Sequence, residues 1–340
     1  MSSIVQQSRS FAELDKAQGA RVRRSVLVTG AAGVAGKSLA QQLIARGFQV
    51  HCFDTRPMDI PSATCHVADG MPGLMPALAR LIRTEHIDLV IPANSVDLSA
   101  ISSGRMAFGN RVDVVVAGPG PTATAQDRLM TAWALWSHGI GVPDFGVPSD
   151  FAHPTKSESI VSGALMLRSR WVDGDQPTVL VDHPSEVDWA SVGDDLLVQE
   201  FVPGTTYKAV VYRPLDGKGR LTIVLEEAIL DGGEIGAKYT IAQHTMPEVE
   251  RVAQAAVRAL GLTGPAEVSL RSREGGEPLV LDVRAGFGPH SSLAPELLEA
   301  VLRDHPSRET APRVRDRING APVGGFSARD GRVFASGARR

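Results

Sequence analysis

Leu196-Leu-Val-Gln-Glu200-Phe-Val-Pro-Gly204-Thr-Thr-Tyr207 carries one apolar strand into a Pro-Gly turn and out into a second strand. A proline lacking its N–H, followed by a glycine free to take positive φ, ends a strand and reverses the chain at little cost. Working outward, the same half holds short apolar runs with little helix between them: Ala164 to Leu167, Thr178 to Val181, Leu196 to Phe201, Tyr207 to Tyr212 and Leu221 to Leu225. One strong helical stretch, Met246 to Leu260, precedes the pair Ala266 to Arg271 and Leu279 to Val283, joined by Arg273-Glu-Gly-Gly276. Strands joined by turns, with helix set apart, predict an α+β half built of antiparallel hairpins.

The preceding half follows another rule. Ser25 to Thr29, Gln49 to Phe53, Thr64 to Val67, Asp88 to Pro92 and Val112 to Ala117 read as strands. Helical segments at 34–46, 74–85 and 96–107 separate them. That alternation predicts a parallel sheet with crossover helices. Gly118-Pro-Gly-Pro121 breaks it, a helix is expected from Ala123 to His138, and the Pro-rich stretch from Gly141 to Pro154 reads as an interdomain passage. Residues 1–23 read as a solvated arm with at most a short helix from Phe11 to Gln18, and 303–340 as a loosely attached tail.

Composition narrows the function classes. The 340 residues leave room for two cores, and 43% hydrophobic with 21% charged residues excludes wholesale disorder. With 35 basic and 38 acidic residues the net charge is −3, which advertises no nucleic-acid partner. Only Cys52 and Cys65 occur, in no C-x-x-C pair, so neither a disulfide scaffold nor a zinc ribbon is expected and a reducing cytoplasm suits the chain. Met1 to Ala20 lacks the apolar core of a signal peptide, and no run reaches the ~20 apolar residues of a membrane span, so no membrane partner is expected.

Thr29-Gly30-Ala-Ala-Gly33-Val-Ala-Gly36 lies where the first strand turns into the first helix. Three readings stay open. The glycines would let backbone approach a dinucleotide pyrophosphate, with Asp54 on the ribose, although no tyrosine has a lysine four residues on, as short-chain and epimerase enzymes require. Ala31 to Gly36 followed by Lys37-Ser38 satisfies a relaxed P-loop pattern. In the third reading the glycines only permit a tight turn and close helix–strand packing.

The quoted segment resembles the hinge strand of ATP-grasp ligases, and ordered matches extend the resemblance over residues 25–300. Gln126-Asp127-Arg128 with its helix and the exit Gly139-Ile-Gly-Val-Pro143, the strand Ala164-Leu-Met-Leu-Arg168-Ser-Arg170, and the segments Gly264 to Arg271 and Leu279 to Gly286 follow the family's order. The carbamoyl-phosphate-synthase large-chain-like carboxylate–amine ligases are the branch most similar. The resemblance implies an α/β chain: a Rossmann-like pre-ATP-grasp parallel-sheet domain (24–120), then an α+β ATP-grasp fold of two subdomains, 121–202 and 203–302.

It also implies ATP, Mg²⁺, and a small-molecule carboxylate phosphorylated to an acyl phosphate that an amine captures; a homodimer is left open. Phosphoryl transfer needs cations on the triphosphate, carboxylates on the metal and partners for adenine. Arg128 and Arg168 would supply the cations, and Gln199, Glu200, Phe201 and Val202 the adenine contacts. On strands, Glu267, Ser269 and Arg271 share a face, as do Asp282 and Arg284, so Glu267, Ser269 and Asp282 would hold the metal. Arg284 and His290 stand on the substrate side as candidate catalytic residues.

The departures are as informative. Asp282, Arg284 and Gly286 stand where the family carries Glu, Asn and Arg; Thr206 replaces a glutamate; Trp171-Val-Asp-Gly174-Asp-Gln lacks the expected glycine run. Arg284 places a cation where an ion should sit. Two alternatives follow: a catalytically degenerate relative that binds a ligand or partner, and an NAD(P)-dependent oxidoreductase using the N-terminal turn. A carboxylate in a solvated cleft contributes little to stability, so Asp282→Asn is expected to abolish turnover and leave folding nearly intact.

Overall fold

Residues 24–306 are described by a computed structural model, except 69–72, 153–159, 162, 173–176, 218–219, 229–237, 242–245 and 274. The expected helix at 11–18, the arm at 1–23 and the tail from 307 onward lie outside the described residues.

Strand β1 (Ser25–Thr29) is buried along its whole length, because it is the centre of a five-stranded parallel sheet ordered β3-β2-β1-β4-β5. Its partners are β2 (Gln49–Asp54), β3 (Thr64–Val67), β4 (Leu89–Pro92) and the short β5 (Asp113–Val114). A strand covered on both faces must be apolar throughout, as Ser25-Val-Leu-Val-Thr29 nearly is. Helix α1 (Val34–Ala45) buries Ala35, Leu39 and Leu43 at four-residue spacing, α2 (Leu74–Thr84) buries Leu74, Leu78, Leu81 and Ile82, and α3 (Ser95–Gly104) is capped by the Asn94 side chain on Asp97 N at 2.8 Å.

The helix expected over 123–138 is two helices. Pro119 opens α4 (Pro119–Gln126) at its first turn, where a missing N–H costs nothing, and α5 (Arg128–Ser137) starts afresh after Asp127. Asp127 takes extended geometry (φ −111°, ψ 110°) and its carboxylate accepts from Leu129 N and Met130 N. The same carboxylate binds Arg170, which fixes the break against the next sheet.

Two antiparallel sheets follow. The smaller is ordered β6-β9-β7-β8, from β6 (Phe145–Gly146), which the short helix α6 (Pro148–Phe151) follows, β7 (Leu165–Ser169), β8 (Val179–Val181) and β9 (Leu196–Glu200). The larger is ordered β12-β11-β10-β13-β14, from β10 (Thr205–Arg213), β11 (Leu221–Ala228), β12 (Lys238–Ile241), β13 (Gly264–Ser272) and β14 (Leu279–Ala285). Between β9 and β10, Gly204 sits at φ +121°, and a Cβ there would lie 2.1 Å from Ser272 O, so only glycine serves this turn. Helix α7 (Pro247–Ala259) covers one face of the larger sheet with Val249, Val252, Ala253, Ala256 and Val257.

A helix that the sequence reading did not place, α8 (Pro295–Asp304), packs Leu297, Leu298 and Val301 into the core shared by β1, α1 and the far end of β10. Each such side chain contributes about 1.5–3 kcal/mol by burial. Residues 303 and 304 therefore belong to this helix and not to a tail; Tyr212 donates its hydroxyl to Asp304 at 2.9 Å. No helix among the described residues is long and apolar enough to cross a membrane.

Candidate active site

The face of the larger sheet turned away from α7 gathers several of the charged residues that the resemblance singled out. Register puts Lys208, Ser269 and Asp282 in one row across β10, β13 and β14, and Val210, Glu267 and Arg284 in the next. Directly opposed residues project to the same side, so both rows face one cleft. The β13–β14 register shifts after Ser269, pairing Ser269 with Asp282 and Leu270 with Val280, and so skips Leu281. The Leu281 carbonyl thereby becomes available: it accepts from Gln199 Nε2 at 3.4 Å and, weakly, from Arg168 Nη1 at 3.5 Å.

The smaller sheet and α5 supply the other wall. Arg168 on β7 donates to Asp282 Oδ2 at 3.2 Å and to Gln199 Oε1 at 3.3 Å. Arg128, the first residue of α5, reaches the same Oδ2 at 3.2 Å while its Nη1 holds the Ser169 and Trp171 carbonyls at 2.7 and 2.6 Å. Asp282 is 13% exposed, and its second oxygen, Oδ1, is buried with no hydrogen-bond partner among the described residues. Burial pushes the Asp282 carboxyl upward, but the charges of Arg168 and Arg128, then Arg284 and Lys208, outweigh it and hold the group below the ordinary aspartate range. Burial lowers the Lys208 ammonium and the Arg168 guanidinium.

Lys208 donates to Ser269 Oγ at 2.7 Å. Glu267 accepts from His290 N at 3.2 Å and bonds His290 Nδ1 at 2.7 Å, an approach open because residue 288 is glycine: a Cβ there would sit 2.2 Å from Glu267 Oε2. Arg284 donates to Ser95 Oγ at 2.6 Å, tying the cleft to the start of α3 in the parallel-sheet half. Arg128, Arg168, Lys208 and Arg284 thus stand against Asp282 and Glu267, an excess of positive charge that favours a polyanion.

The structure gathers the expected cations Arg128 and Arg168 and the expected metal ligand Asp282 into one ion cluster. Ser269 lies in register with Asp282, whereas both oxygens of Glu267 are turned to His290. Magnesium typically keeps waters and takes one or two carboxylates plus substrate phosphates. The orphaned Oδ1 of Asp282 fits that demand; among the described residues no three of His, Cys, Asp and Glu converge on one point. The folding expectation for Asp282→Asn is corrected here, because the carboxylate is not solvated but clamped by two arginines that are themselves 11% and 15% exposed.

Along the hinge, Glu200 N donates to Asp144 O at 2.7 Å and Phe201 N to Ala164 O at 2.8 Å. Arg271 donates to Val202 O at 3.0 Å with its guanidinium over the Phe201 ring, and Glu200 is ion-paired to Arg273. Gln199 is buried and turned toward the ion cluster. Sequence reasoning missed Lys208 and Ser95. A lone lysine inside the apolar run Tyr207-Lys-Ala-Val-Val211 was the available signal for the first; Ser95 carried none, since only the packing of two halves brings it to Arg284.

In the N-terminal glycine turn the acidic side chain is used internally, while the Thr29 hydroxyl is buried without a hydrogen-bond partner among the described residues. Asp54 is 4% exposed, its Oδ2 accepting from Ala32 N at 2.9 Å and its Oδ1 from Arg56 N at 3.0 Å. A Cβ on Gly36 would come 2.4 Å from Gly30 O, and one on Gly30 (φ +67°) 2.6 Å from Asn94 Cβ. Gly30 and Gly36 therefore have a packing reason, whereas a Cβ on Gly33 would make only ordinary contacts, the nearest at 3.4 Å.

Residues 26–116, the parallel-sheet half, match the NAD dependent epimerase/dehydratase family. No curated protein matches the chain in sequence. Solved structures match over most of it. An L-amino acid ligase from Bacillus licheniformis is 16% identical with a TM-score of 0.64, the match covering 80% of this chain and 70% of that one. N5-carboxyaminoimidazole synthetase from Staphylococcus aureus, complexed with ADP, is 15% identical with a TM-score of 0.60 over 77% and 70%. Carboxyaminoimidazole ribonucleotide synthase from Aspergillus clavatus, complexed with ATP, is 18% identical with a TM-score of 0.59 over 77% and 70%. The chain has the ATP-grasp fold of these carboxylate–amine ligases.

Proposed function

We propose that the protein is an ATP-dependent ligase that joins a small-molecule carboxylate to an amine. The observation that carries this reading is Asp282 Oδ1, a buried carboxylate oxygen left without a partner inside a cluster of four cations. Buried polar atoms in native proteins are almost always paired, so a charged oxygen orphaned among cations at the meeting of two sheets supports a ligand completing the structure there.

In this reading Arg128, Arg168 and Lys208 bind the triphosphate and Arg284 the developing charge on the acceptor carboxylate. The carboxylate oxygen bonds the γ-phosphorus as the bond to the β-phosphate oxygen breaks, giving an acyl phosphate and ADP. The amine then attacks the acyl carbon and phosphate leaves with the bonding electrons. Glu267 accepts from His290 Nδ1, which fixes the tautomer with Nε2 as the acceptor for the amine proton. Mg²⁺, when bound at Asp282, would supply charge neutralisation between the phosphates. An acyl phosphate survives only where water is kept from it, and the low exposure of Arg128, Arg168 and Asp282 supports that protection.

A second reading, a relative that binds ligand without turning over nucleotide, is favoured by one observation: Arg271 already occupies the Val202 carbonyl and lies over Phe201. Calorimetric titration of ATP and ADP with and without Mg²⁺, followed by phosphate-release assays over carboxylate and amine pairs, separates the two. The ligase reading expects Mg²⁺-strengthened nucleotide binding and phosphate release with at least one pair. Binding indifferent to Mg²⁺ with no release favours the second reading, and absence of nucleotide binding overturns the first.

A further inference from the structure

On the side of the larger sheet covered by α7, away from the cleft, a cavity of about 210 Å³ is lined by Val211, Arg213, Arg220, Gln254, Val257 and Arg258. Arg213 ends β10, Arg220 precedes β11, and Arg258 lies in the last turn of α7. We propose that this cavity binds a phosphate group, free or carried by a small molecule.

Two of the three guanidinium groups are held by neutral partners. Arg213 Nη1 donates to the Leu262 carbonyl at 2.9 Å. Arg220 Nη1 donates to Gln254 Oε1 at 3.2 Å, and Gln254 Nε2 donates onward to Thr222 Oγ1 at 2.9 Å, which fixes the amide's orientation. No carboxylate lines the cavity, and none of the three arginines has an acidic partner among the described residues. This is unusual in a chain with more acidic than basic residues, 38 against 35.

Three like charges around one space repel one another, and an anion relieves that repulsion. Guanidinium forks match the oxygen spacing of phosphate, and their anchoring lowers the entropy lost on binding. A carboxylate offers two oxygens and one charge, enough for one fork; a phosphate offers more oxygens and up to two charges, enough for three. The buried Val211 and Val257 form an apolar floor, with Arg213 half-buried beside it and Arg220 and Arg258 exposed at the mouth, where an anion can enter.

The cleft also attracts phosphate, so the experiment must locate the anion. Inorganic phosphate is titrated calorimetrically at constant ionic strength into wild type, Arg220→Gln, Arg258→Gln and the cleft variant Arg168→Gln, with acetate as the carboxylate control. Crystals soaked in tungstate locate the anion by anomalous scattering. The expected result is saturable phosphate binding that survives Arg168→Gln, weakens at least tenfold in Arg220→Gln and Arg258→Gln, is not reproduced by acetate, and coincides with tungstate between the three arginines. Nucleotide titration should stay unchanged in the Arg220 and Arg258 variants. Phosphate binding that is lost in Arg168→Gln alone, equal binding of acetate, or tungstate confined to the cleft overturns the proposal, and each outcome is readable whether or not the ligase reading stands.

Discussion

Two regions of this chain carry motifs of nucleotide sites in the sequence, and the structure treats their carboxylates in opposite ways. At the Gly30–Gly36 turn, the acidic side chain that would take a ribose is spent on the turn: Asp54 accepts Ala32 N and Arg56 N, and the glycines are demanded by contacts of 2.4 and 2.6 Å that any Cβ would make. In the cleft between the antiparallel sheets, Asp282 is clamped on one oxygen and orphaned on the other. Each region keeps one buried oxygen without a partner among the described residues, Thr29 Oγ1 at the turn and Asp282 Oδ1 in the cleft. Only the second is a charged carboxylate oxygen set among cations, and that difference separates the two.

The largest effect is expected from Asp282→Asn. Removing the charge leaves Arg128 and Arg168 buried without a counter-ion, which costs about 3 kcal/mol, and nucleotide turnover should disappear. Denaturant unfolding and phosphate release check the two parts separately; a variant as stable as wild type would show the cluster to be more solvated than its geometry implies.

Next comes Gly36→Ala, where overpacking against Gly30 O should cost about 1–3 kcal/mol in thermal or urea unfolding. ADP affinity of the folded protein should not change. If ADP or NADH affinity falls while stability holds, the turn is a binding site after all and the contrast fails.

Arg168→Gln should weaken ADP binding by about 1–3 kcal/mol, a factor of roughly 5 to 150, through loss of a charge-assisted hydrogen bond. Arg168→Lys should restore only part, because an ammonium cannot bridge Asp282 and Gln199 in the manner of a planar fork. Calorimetry distinguishes these outcomes.

The smallest effect concerns acid stability, where both regions contribute. Burial raises Asp54, but hydrogen bonds from Arg56 and Ala32 outweigh it and hold the carboxyl below its ordinary value, as the arginines do for Asp282. A carboxyl whose pKa is depressed by folding stabilises the protein above the unfolded value of ~4, and that contribution is lost as pH falls through the folded value. Asp54→Asn should therefore cost about 1 kcal/mol at neutral pH and flatten the loss of stability below pH ~4. An unchanged acid limb would mean that Asp54 is not held as the turn geometry indicates. Stability measured from pH 2 to 7 provides the test.

How much of this was legible beforehand follows from the range of the forces involved. Period-two and helical patterns act over a few residues, so the strands from Ser25 to Val67, the alternation of the first half and the hairpins of the second could be read directly, as could the shared face of Glu267, Ser269 and Arg271. The split at Asp127 could not, because it depends on Arg170 arriving from β7. Helix α8 escaped notice as well, its apolar stripe being short and its partners, β1 and β10, lying far away in the chain.

For the cleft, the family resemblance named Arg128, Arg168, Gln199 and Asp282 as candidates, and strand period, a local property, put Asp282 on one face with Arg284. Which atom binds which was decided by tertiary structure. The skipped register at Leu281 frees a carbonyl, α5 brings Arg128 against β14, and the packing of two halves carries Ser95 to Arg284. Electrostatic satisfaction is a property of all the groups that converge on a point. Asp54 ends β2 and Asp282 lies in the middle of β14, and only the neighbours delivered by the fold make one a sealed strut and the other an open acceptor.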